Sequence, residues 1–387
     1  MDFGLTPQQE SLRQEVARFC QEETTAEVIA ELESGIGIGA HYWKFLRKAG
    51  ARGWLAPTWP REYGGIESTY IERFIIAEEM SYYGALLLLH GAHIAGPSIL
   101  LFGTEEQKRR WLPGIARGET EFAVGYSEPQ AGSDLASLQM RAVEDGDDYV
   151  VSGQKMYNTA CHYAQYHWLG VRTDPNAPKH KGISLLVVDL KSPGVTIRPL
   201  WTFAGVRTNE VFYDQVRVPK TNLVGQVNRG FYHIATALDF ERMFTTGRLR
   251  RHLEELVGYM KETGRDGKPL SQNPLLRGKV AELAIELDIA RLIAFRVAWM
   301  LDQGTVPNYE SSVLKLFTTE VWTRLFRLGM EVMGLYGQLT EGSKLAPLGG
   351  RFPRFYLYGP MQTVVAGTSE IMRSIIALRG LGLPAGY

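Results

Sequence analysis

Cysteine and net charge are the scarcest features of this chain of 387 residues. Its two cysteines, Cys20 and Cys161, lie far apart without a CxxC spacing, which argues against a disulfide framework or a zinc site and suits a reducing compartment. Lysine plus arginine and aspartate plus glutamate both number 42, so there is no basic excess to attract nucleic acid or an anionic membrane surface. We therefore expect no nucleic-acid partner and no metal site.

Long apolar runs are also missing. The longest block, residues 84–89, is far too short to cross a bilayer, and the N-terminus shows no basic segment leading into an apolar run. The hydrophobic fraction of 45% is nevertheless high enough for more than one buried core. These properties predict a cytoplasmic protein without a membrane span.

Helix signals dominate the first third of the chain. Thr6, followed by a proline and two glutamines, predicts an N-cap with a capping box, and Thr104 with Gln107 repeats the pattern. Between these two helix starts, residues 71–101 are apolar with few breakers, and they predict two buried helices that pack together.

The pattern changes after about residue 120. Short runs rich in β-branched and aromatic residues, separated by glycine- and proline-containing turns, are typical of antiparallel strands. The runs are residues 149–151, 166–171, 183–188, 195–200 and 211–218. Helical spacing returns at Phe231. The chain is therefore predicted to be an α+β protein with an N-terminal helical domain (1–120), a middle antiparallel β-domain (121–226) and a C-terminal helical bundle (227–387).

Two short clusters are the most specific motifs. Residues 126–134 read YSEPQAGSD, in which proline and glycine define a turn that can aim N–H and O–H groups at one flat or anionic ligand. Residues 366–370 read AGTSE. The GxGxxG strand-to-helix fingerprint of a Rossmann nucleotide site is absent from the sequence. Together, and in this order, the two clusters resemble those of the acyl-CoA dehydrogenases, flavoenzymes that desaturate acyl thioesters.

The resemblance extends over essentially the whole chain and implies a β-domain between two helical domains, with FAD where they meet. It implies an acyl-CoA substrate, a trans-2-enoyl-CoA product and electron transfer to an electron-transfer flavoprotein. A cofactor is required in any case, because no side chain accepts hydride. The family forms its tetramer through the second helical block, which implies a homo-tetramer or a hetero-tetramer with a paralogue.

The resemblance also implies specific contacts. Tyr157 matches the aromatic residue near the flavin, and Thr159 matches the hydroxyl beside its N5 edge. The implied cofactor-binding residues are Tyr126, Ser127, Gly132, Ser133, Tyr157, Thr159, Arg265, Glu331, Gly334, Thr368 and Glu370, and the implied substrate-binding residues are Ser133, Asp239 and Arg242. Several cofactor positions depart from the family pattern: Tyr157 replaces a tryptophan, Glu331 replaces a glutamine, Leu335 replaces a glycine, and Arg265 lies in a segment with altered spacing.

The general base is the main departure. Many family members carry a glutamate directly before the Gly-Thr-Ser of the second cluster; here that position is Ala366, whose backbone N–H can still donate to a thioester carbonyl. The isovaleryl and long-chain branches place the glutamate on a helix of the C-terminal domain, and Glu241 matches that position. Spacing predicts one helix face formed by Ile234, Leu238, Glu241, Thr245 and Leu249. The alternative for Glu241 is a structural ion pair with Arg242 or another partner.

Further alternatives stay open at this point. The chain fits a catalytically silent subunit that supports an active partner, or an oxidase or monooxygenase on the same fold. Small residues in the first domain predict either close helix packing or space for a branched, aromatic or polycyclic acyl group; they are Gly84, Ala85, Gly91, Ala92, Ala95 and Gly96. His90 and His93 are interpreted as core or pocket-lining residues, because no third ligand falls at metal-site spacing.

Overall fold

The computed structural model describes residues 4–85, 89–241, 244–265 and 267–384, with only the backbone for 236–241 and 265. The chain forms two compact units that alternate along the sequence. Unit 1 comprises the described residues of Met1–Thr24, Tyr70–Leu86 and Arg242–Tyr387, and unit 2 those of Thr25–Thr69 and Leu87–Glu241.

Helices form both ends of the described chain. The first set is α1 (Pro7–Glu23), α2 (Ala26–Glu33), α3 (Ala40–Gly50), α4 (Tyr70–Tyr82), α5 (Gly96–Phe102), which a π-helical turn (Gly91–Ala95) precedes, and α6 (Glu105–Ala116). The second set is α7 (Gly230–Glu241), α8 (Gly247–Glu262), α9 (Pro274–Asp302), α10 (Tyr309–Met333), α11 (Arg351–Val364) and α12 (Ser369–Ile375). None of the described helices is long and apolar enough to cross a membrane.

The two expected capping boxes are confirmed. The Thr6 hydroxyl accepts from the Gln9 N–H while the Gln9 side chain accepts from the Thr6 N–H, and Thr104 and Gln107 repeat this exchange at the start of α6. Each box satisfies two N–H groups that a helix start otherwise leaves unpaired.

The middle of the chain is an eight-stranded sheet in unit 2. Its strands are β1 (Phe122–Gly125), β2 (Arg141–Asp145), β3 (Asp148–Lys155), β4 (Tyr166–Arg172), β5 (Ile183–Asp189), β6 (Val195–Trp201), β7 (Arg207–Pro219) and β8 (Leu223–Val224). They follow the order β6-β7-β3-β2-β4-β5-β8, and β1 pairs with β4. All five predicted strand runs are therefore confirmed. The pairing is antiparallel except where β4 meets β1 and β2, which run parallel to it.

Burial along the strands explains where the sheet packs. β4 and β5 are buried at nearly every position, as is expected for strands covered on both faces, whereas β6 is largely exposed. In unit 1, α8, α10 and α11 enclose an aromatic core of Trp322, Phe326, Phe352 and Phe355. A two-stranded hairpin of β9 (Gly264–Arg265) and β10 (Lys268–Pro269) follows α8.

The expectation of one helix face from Ile234 to Leu249 is wrong. Helix α7 ends at Glu241, residues 244–246 are not helical, and α8 begins at Gly247, so Leu249 lies on a different helix from Glu241. A tertiary contact within unit 1 explains where α8 begins. The buried Glu78 carboxylate accepts from the Thr246 N–H (2.8 Å) and the Thr246 hydroxyl (2.7 Å), and it thereby fixes the residue that directly precedes α8.

The small residues of the first domain are split between the two units. Residues 70–82 and 91–102 are helical as predicted, but α4 belongs to unit 1 and the segment from Gly91 to unit 2. Within unit 2, a Cβ at Gly96 would lie 2.2 Å from the Trp59 ring, and one at Gly91 would lie 3.3 Å from Ile115. These two glycines therefore allow close packing, and they do not leave an acyl cavity at their own positions.

Candidate functional site

Residues 126–134 form a turn at the end of β1. The Glu128 N–H donates to the Ala131 carbonyl (2.9 Å) and closes the turn. Gly132 and Ser133 are exposed and Ser127 is half-buried. A Cβ added at Gly132 would meet no atom within 4 Å, so the outer face of the turn is open to a ligand.

Tyr126 differs from the other candidate residues of this turn because its side chain is buried. Its ring is 8% exposed, and its hydroxyl accepts a hydrogen bond from Trp168 Nε1 (2.8 Å) on β4. Tyr126 therefore attaches the first residue of the turn to the centre of the sheet.

A buried ion pair lies beneath the turn. Lys155 Nζ donates to Glu128 Oε1 (2.8 Å) and to the Tyr126 carbonyl (3.1 Å), and both charged side chains are almost fully buried. The Glu128 carboxylate also accepts from the N–H groups of Gln139 (2.7 Å) and Met140 (2.9 Å). One carboxylate thus joins the turn, the end of β3 and the start of β2, and its charge is fully satisfied, as burial requires.

Burial also affects the protonation of Lys155. Burial lowers the pKa of the Lys155 ammonium to about 8, and the Glu128 carboxylate opposes that shift by favouring the charged form. Cys161, a few residues further on, is not a nucleophile in this environment, because burial raises the pKa of its thiol.

Tyr157 and Thr159 project from the chain directly after β3. Tyr157 has φ +59° and is 62% exposed, and Thr159 is also exposed. The Met156 N–H donates to the Ser127 carbonyl (3.0 Å), which joins this segment to the 126–134 turn. The Thr159 hydroxyl contacts the Thr208 hydroxyl at 3.4 Å. An exposed aromatic ring on a segment that is bonded to the 126–134 turn fits a flat aromatic ligand.

The structure thus brings together Ser127, Tyr157 and Thr159 within unit 2. The sequence assigns no role to Glu128, which lies inside the 126–134 cluster, or to Lys155, which lies two residues before Tyr157. Asn158, which lies between Tyr157 and Thr159, was also given no role, and Asn209 was missed altogether; the contacts of these two asparagines hold the Tyr157 segment. The available signal for the ion pair was a charged residue, Lys155, at the end of β3, a strand in which buried and less buried positions alternate. Asn209 lies in no recognisable motif.

The helix-end motif at Glu331 lies in unit 1. Lys279 Nζ donates to both Glu331 carboxylate oxygens (2.5 and 2.8 Å), with both side chains about half exposed. Helix α10 ends at Met333, Gly334 adopts φ +57°, and Leu335 is 82% exposed. The negative charge of Glu331 is therefore offset by Lys279, a partner that the sequence motif did not indicate.

Residues 366–370, also in unit 1, form a turn that leads into α12. Ala366 and Gly367 have φ of +54° and +96°, and Thr368 is the N-cap of α12, where its hydroxyl accepts from the Ile371 N–H (3.2 Å). Glu370 is exposed in the first helical turn. Backbone and hydroxyl hydrogen bonds at this helix start lower the pKa of the Glu370 carboxyl.

Four predicted site residues have side chains outside the described part of the chain. Glu241 is the last residue of α7 and Asp239 lies on the same helix, while Arg265 lies on β9. Arg242 is outside the described residues. Across the ranges that are described, no group of three His, Cys, Asp or Glu side chains is arranged to hold a metal ion.

The described part of the chain combines helices at both ends with a middle sheet whose 126–134 turn and Tyr157 segment are open on one side. Comparison with known families agrees with this arrangement. The acyl-CoA dehydrogenase N-terminal, middle and C-terminal domains match residues 6–119, 123–216 and 228–381. The chain belongs to the acyl-CoA dehydrogenase family, an oxidoreductase family whose members are FAD-dependent flavoproteins.

Individual relatives extend over the whole chain. Acyl-CoA dehydrogenase FadE26 of Mycobacterium tuberculosis is 37% identical over 399 residues, which is 99% of each chain. The ChsE4–ChsE5 complex from Mycobacterium tuberculosis has a chain with a TM-score of 0.92 and 37% identity, covering 100% of both chains. The Tcur3481–Tcur3483 steroid ACAD has a TM-score of 0.93 and 32% identity with the same coverage.

Proposed function

We propose that the chain catalyses FAD-dependent α,β-dehydrogenation of an acyl-CoA thioester to a trans-2-enoyl-CoA. The observation that carries this proposal is the Tyr157 ring, which is 62% exposed on a backbone of positive φ beside Ser127 and Thr159. A strained backbone that presents an unpacked aromatic ring indicates a ligand-binding role. Bound FAD supplies the hydride acceptor, at flavin N5, that no side chain provides.

We assign the cofactor contacts as the family pattern implies. In unit 2, Tyr126, Ser127, Gly132, Ser133, Tyr157 and Thr159 would hold the flavin, with Ser133 also close to the substrate. The family pattern also implies FAD contacts for Arg265, Glu331, Gly334, Thr368 and Glu370. Among these, Glu331 fits a phosphate poorly by itself, and its ion pair with Lys279 makes the contact acceptable.

We assign the general base to Glu241 and the thioester oxyanion contact to the backbone N–H of Ala366, with Asp239 and Arg242 contacting the CoA moiety. Removing an α-proton requires a carboxylate within hydrogen-bond reach of the substrate. Ala366 has no acidic side chain, but a backbone N–H can stabilise the charge that develops on the thioester oxygen. The domain limits at about residues 120 and 226 stay part of this proposal.

Glu241→Gln tests the base. We expect the variant to bind FAD normally but to lose nearly all reduction of the flavin by substrate, because an amide cannot accept the proton. Glu282→Gln, an exposed change on α9, is the control and should reduce at the wild-type rate. Anaerobic stopped-flow bleaching of the flavin measures both; a Glu241→Gln rate above a few per cent of wild type contradicts the assignment. Oxygen consumption during turnover would instead support the oxidase alternative.

We propose a branched, aromatic or polycyclic acyl group as substrate. The support comes from relatives, since the structure of the Tcur3481–Tcur3483 complex is described as a steroid ACAD. The glycines at 91 and 96 do not add support, because Trp59 and Ile115 occupy the adjacent space. Measuring kcat/KM for butyryl-, isobutyryl-, palmitoyl- and a sterol-side-chain-CoA tests the assignment, and a preference for butyryl-CoA would reject it.

We further propose that the protein forms a tetramer, either homomeric or with a paralogue. We propose that an electron-transfer flavoprotein accepts its electrons, and that the protein acts in lipid metabolism in the cytoplasm. An exposed apolar stripe on α9 supports the assembly: Ile285, Ile289, Leu292 and Trp299 recur at helical spacing and are 41–61% exposed. Two related structures are two-component assemblies. The mass of the protein purified alone and with a co-expressed paralogue distinguishes the homomeric from the heteromeric form.

A further inference from the structure

The segment that carries Tyr157 and Thr159 has an unusual backbone. Tyr157 and Ala160 have φ of +59° and +76°, a region that residues with a Cβ rarely occupy. Between them, the Thr159 N–H donates back to the Tyr157 carbonyl (3.0 Å), which makes a tight turn centred on Asn158. Such a conformation persists only when the surrounding structure holds it in place.

Asn209, at the beginning of β7, supplies that constraint from both sides of Asn158. The Asn158 N–H donates to the Asn209 carbonyl (2.9 Å), and Asn209 Nδ2 donates to the Asn158 carbonyl (2.8 Å). Because peptide groups are planar, these two bonds orient the peptide between Tyr157 and Asn158 and the peptide between Asn158 and Thr159. Both asparagines are buried, at 0% and 1% exposure.

The Asn209 side chain is itself oriented by its other contacts. Arg207 Nε donates to Asn209 Oδ1 (3.0 Å), and Asn209 Nδ2 also lies 3.1 Å from His162 Nδ1. The arginine contact identifies the side-chain oxygen and leaves the amide nitrogen to face the Asn158 carbonyl. On the other side of the turn, Asn158 Nδ2 donates to the Val124 and Met156 carbonyls (3.1 Å each).

We propose that Asn209 is a positioning residue for the flavin: its side-chain amide sets the directions of the Tyr157 ring and the Thr159 hydroxyl without touching the cofactor. This inference rests on the proposed function, because Tyr157 and Thr159 are the proposed flavin contacts. A purely structural Asn209 would contribute only to the stability of the sheet.

Asn209→Asp separates these two roles. Aspartate has nearly the same shape and keeps an oxygen for Arg207, but it replaces the donor to the Asn158 carbonyl with a second oxygen that repels it. Asn222→Asp is the matched control. Asn222 is also buried in unit 2, where Nδ2 donates to the Val187 carbonyl (2.8 Å) and Oδ1 accepts from Arg110 (3.1 Å), and neither partner is a candidate cofactor residue.

Urea unfolding of the FAD-free proteins and FAD binding followed by flavin fluorescence measure the two effects. We expect both variants to lose a similar amount of unfolding free energy. Only Asn209→Asp should weaken FAD binding, by about fivefold to tenfold, and only this variant should shift the visible circular dichroism of the bound flavin. Wild-type affinity and an unchanged flavin spectrum in Asn209→Asp would overturn the proposal. If either aspartate variant fails to fold, Asn209→Ser and Asn222→Ser provide the same comparison without a buried charge.

A further variant distinguishes failure of this inference from failure of the proposed function. Tyr157→Ala removes the proposed flavin contact itself. If Tyr157→Ala leaves FAD affinity and the flavin spectrum unchanged, the cofactor assignment is wrong and the positioning role falls with it. If Tyr157→Ala weakens binding but Asn209→Asp does not, only the positioning role is rejected.

Discussion

The two segments that carry the candidate cofactor residues are held in different ways. In unit 2, the 126–134 turn and the Tyr157 segment are held by buried side chains that are distant in sequence, above all Lys155 with Glu128. In unit 1, residues 366–370 are held by local features, namely two residues of positive φ and the Thr368 N-cap. A single substitution in the buried pair should therefore cost much unfolding free energy. Substitutions within residues 366–370 should change it only slightly.

The largest expected effect comes from breaking the buried pair. Lys155→Met or Glu128→Gln leaves one charge buried without its partner, which typically costs about 3–5 kcal/mol of unfolding free energy. Lys179→Ala is the control, because it breaks an exposed pair with Asp134 that should contribute at most about 1 kcal/mol. Urea denaturation measures all three. A loss below 1 kcal/mol in both single variants would show that the pair does not hold the turn.

A pH-dependent effect should appear at Glu121, another buried group of unit 2. Burial raises the pKa of its carboxyl from 4.5 to about 8, although it accepts from the Gly91 N–H (2.8 Å). Because the folded state binds this proton more tightly than the unfolded state, the stability that Glu121 contributes is present below pH 4.5 and is lost as the pH rises through 8.

The test compares wild type with Glu121→Gln between pH 5.5 and 7.5. The stability of wild type relative to the variant should fall with rising pH, with a slope of at most about 1.4 kcal/mol per pH unit. Glu370→Gln in unit 1 is the contrast, because a carboxyl with a lowered pKa stays ionised throughout this range. A flat difference for Glu121→Gln would contradict the assigned direction.

The smallest effects are expected in the 366–370 turn. Ala366→Gly relieves a left-handed backbone that costs about 1–2 kcal/mol, offset by about 0.5–1 kcal/mol of glycine entropy, so we expect a gain of about 0.5–1 kcal/mol. Thr368→Ala removes the cap of α12 and should cost about 1 kcal/mol. Chemical denaturation measures both, and destabilisation by Ala366→Gly would mean that the turn depends on the alanine methyl group.

The same division between local and distant interactions separates what the sequence predicts from what it does not. The capping boxes at Thr6 and Thr104 and the five strand runs are confirmed, because their signals lie within a few residues. The helix face from Ile234 to Leu249 is wrong. Thr246, the residue directly before α8, is held by Glu78, more than 160 positions earlier, and spacing alone cannot reveal that contact.

For the site, the motifs by themselves predicted the family and the FAD requirement, and both are confirmed. The individual cofactor-binding residues stay predictions. Only the tertiary structure decided how the segments that carry them are held. Lys155 with Glu128 and Asn209 with Asn158 meet across 27 and 51 positions of sequence. The physical reason is that a buried polar group must find a partner wherever the fold brings one close, and that choice depends on three-dimensional packing, which local sequence does not record.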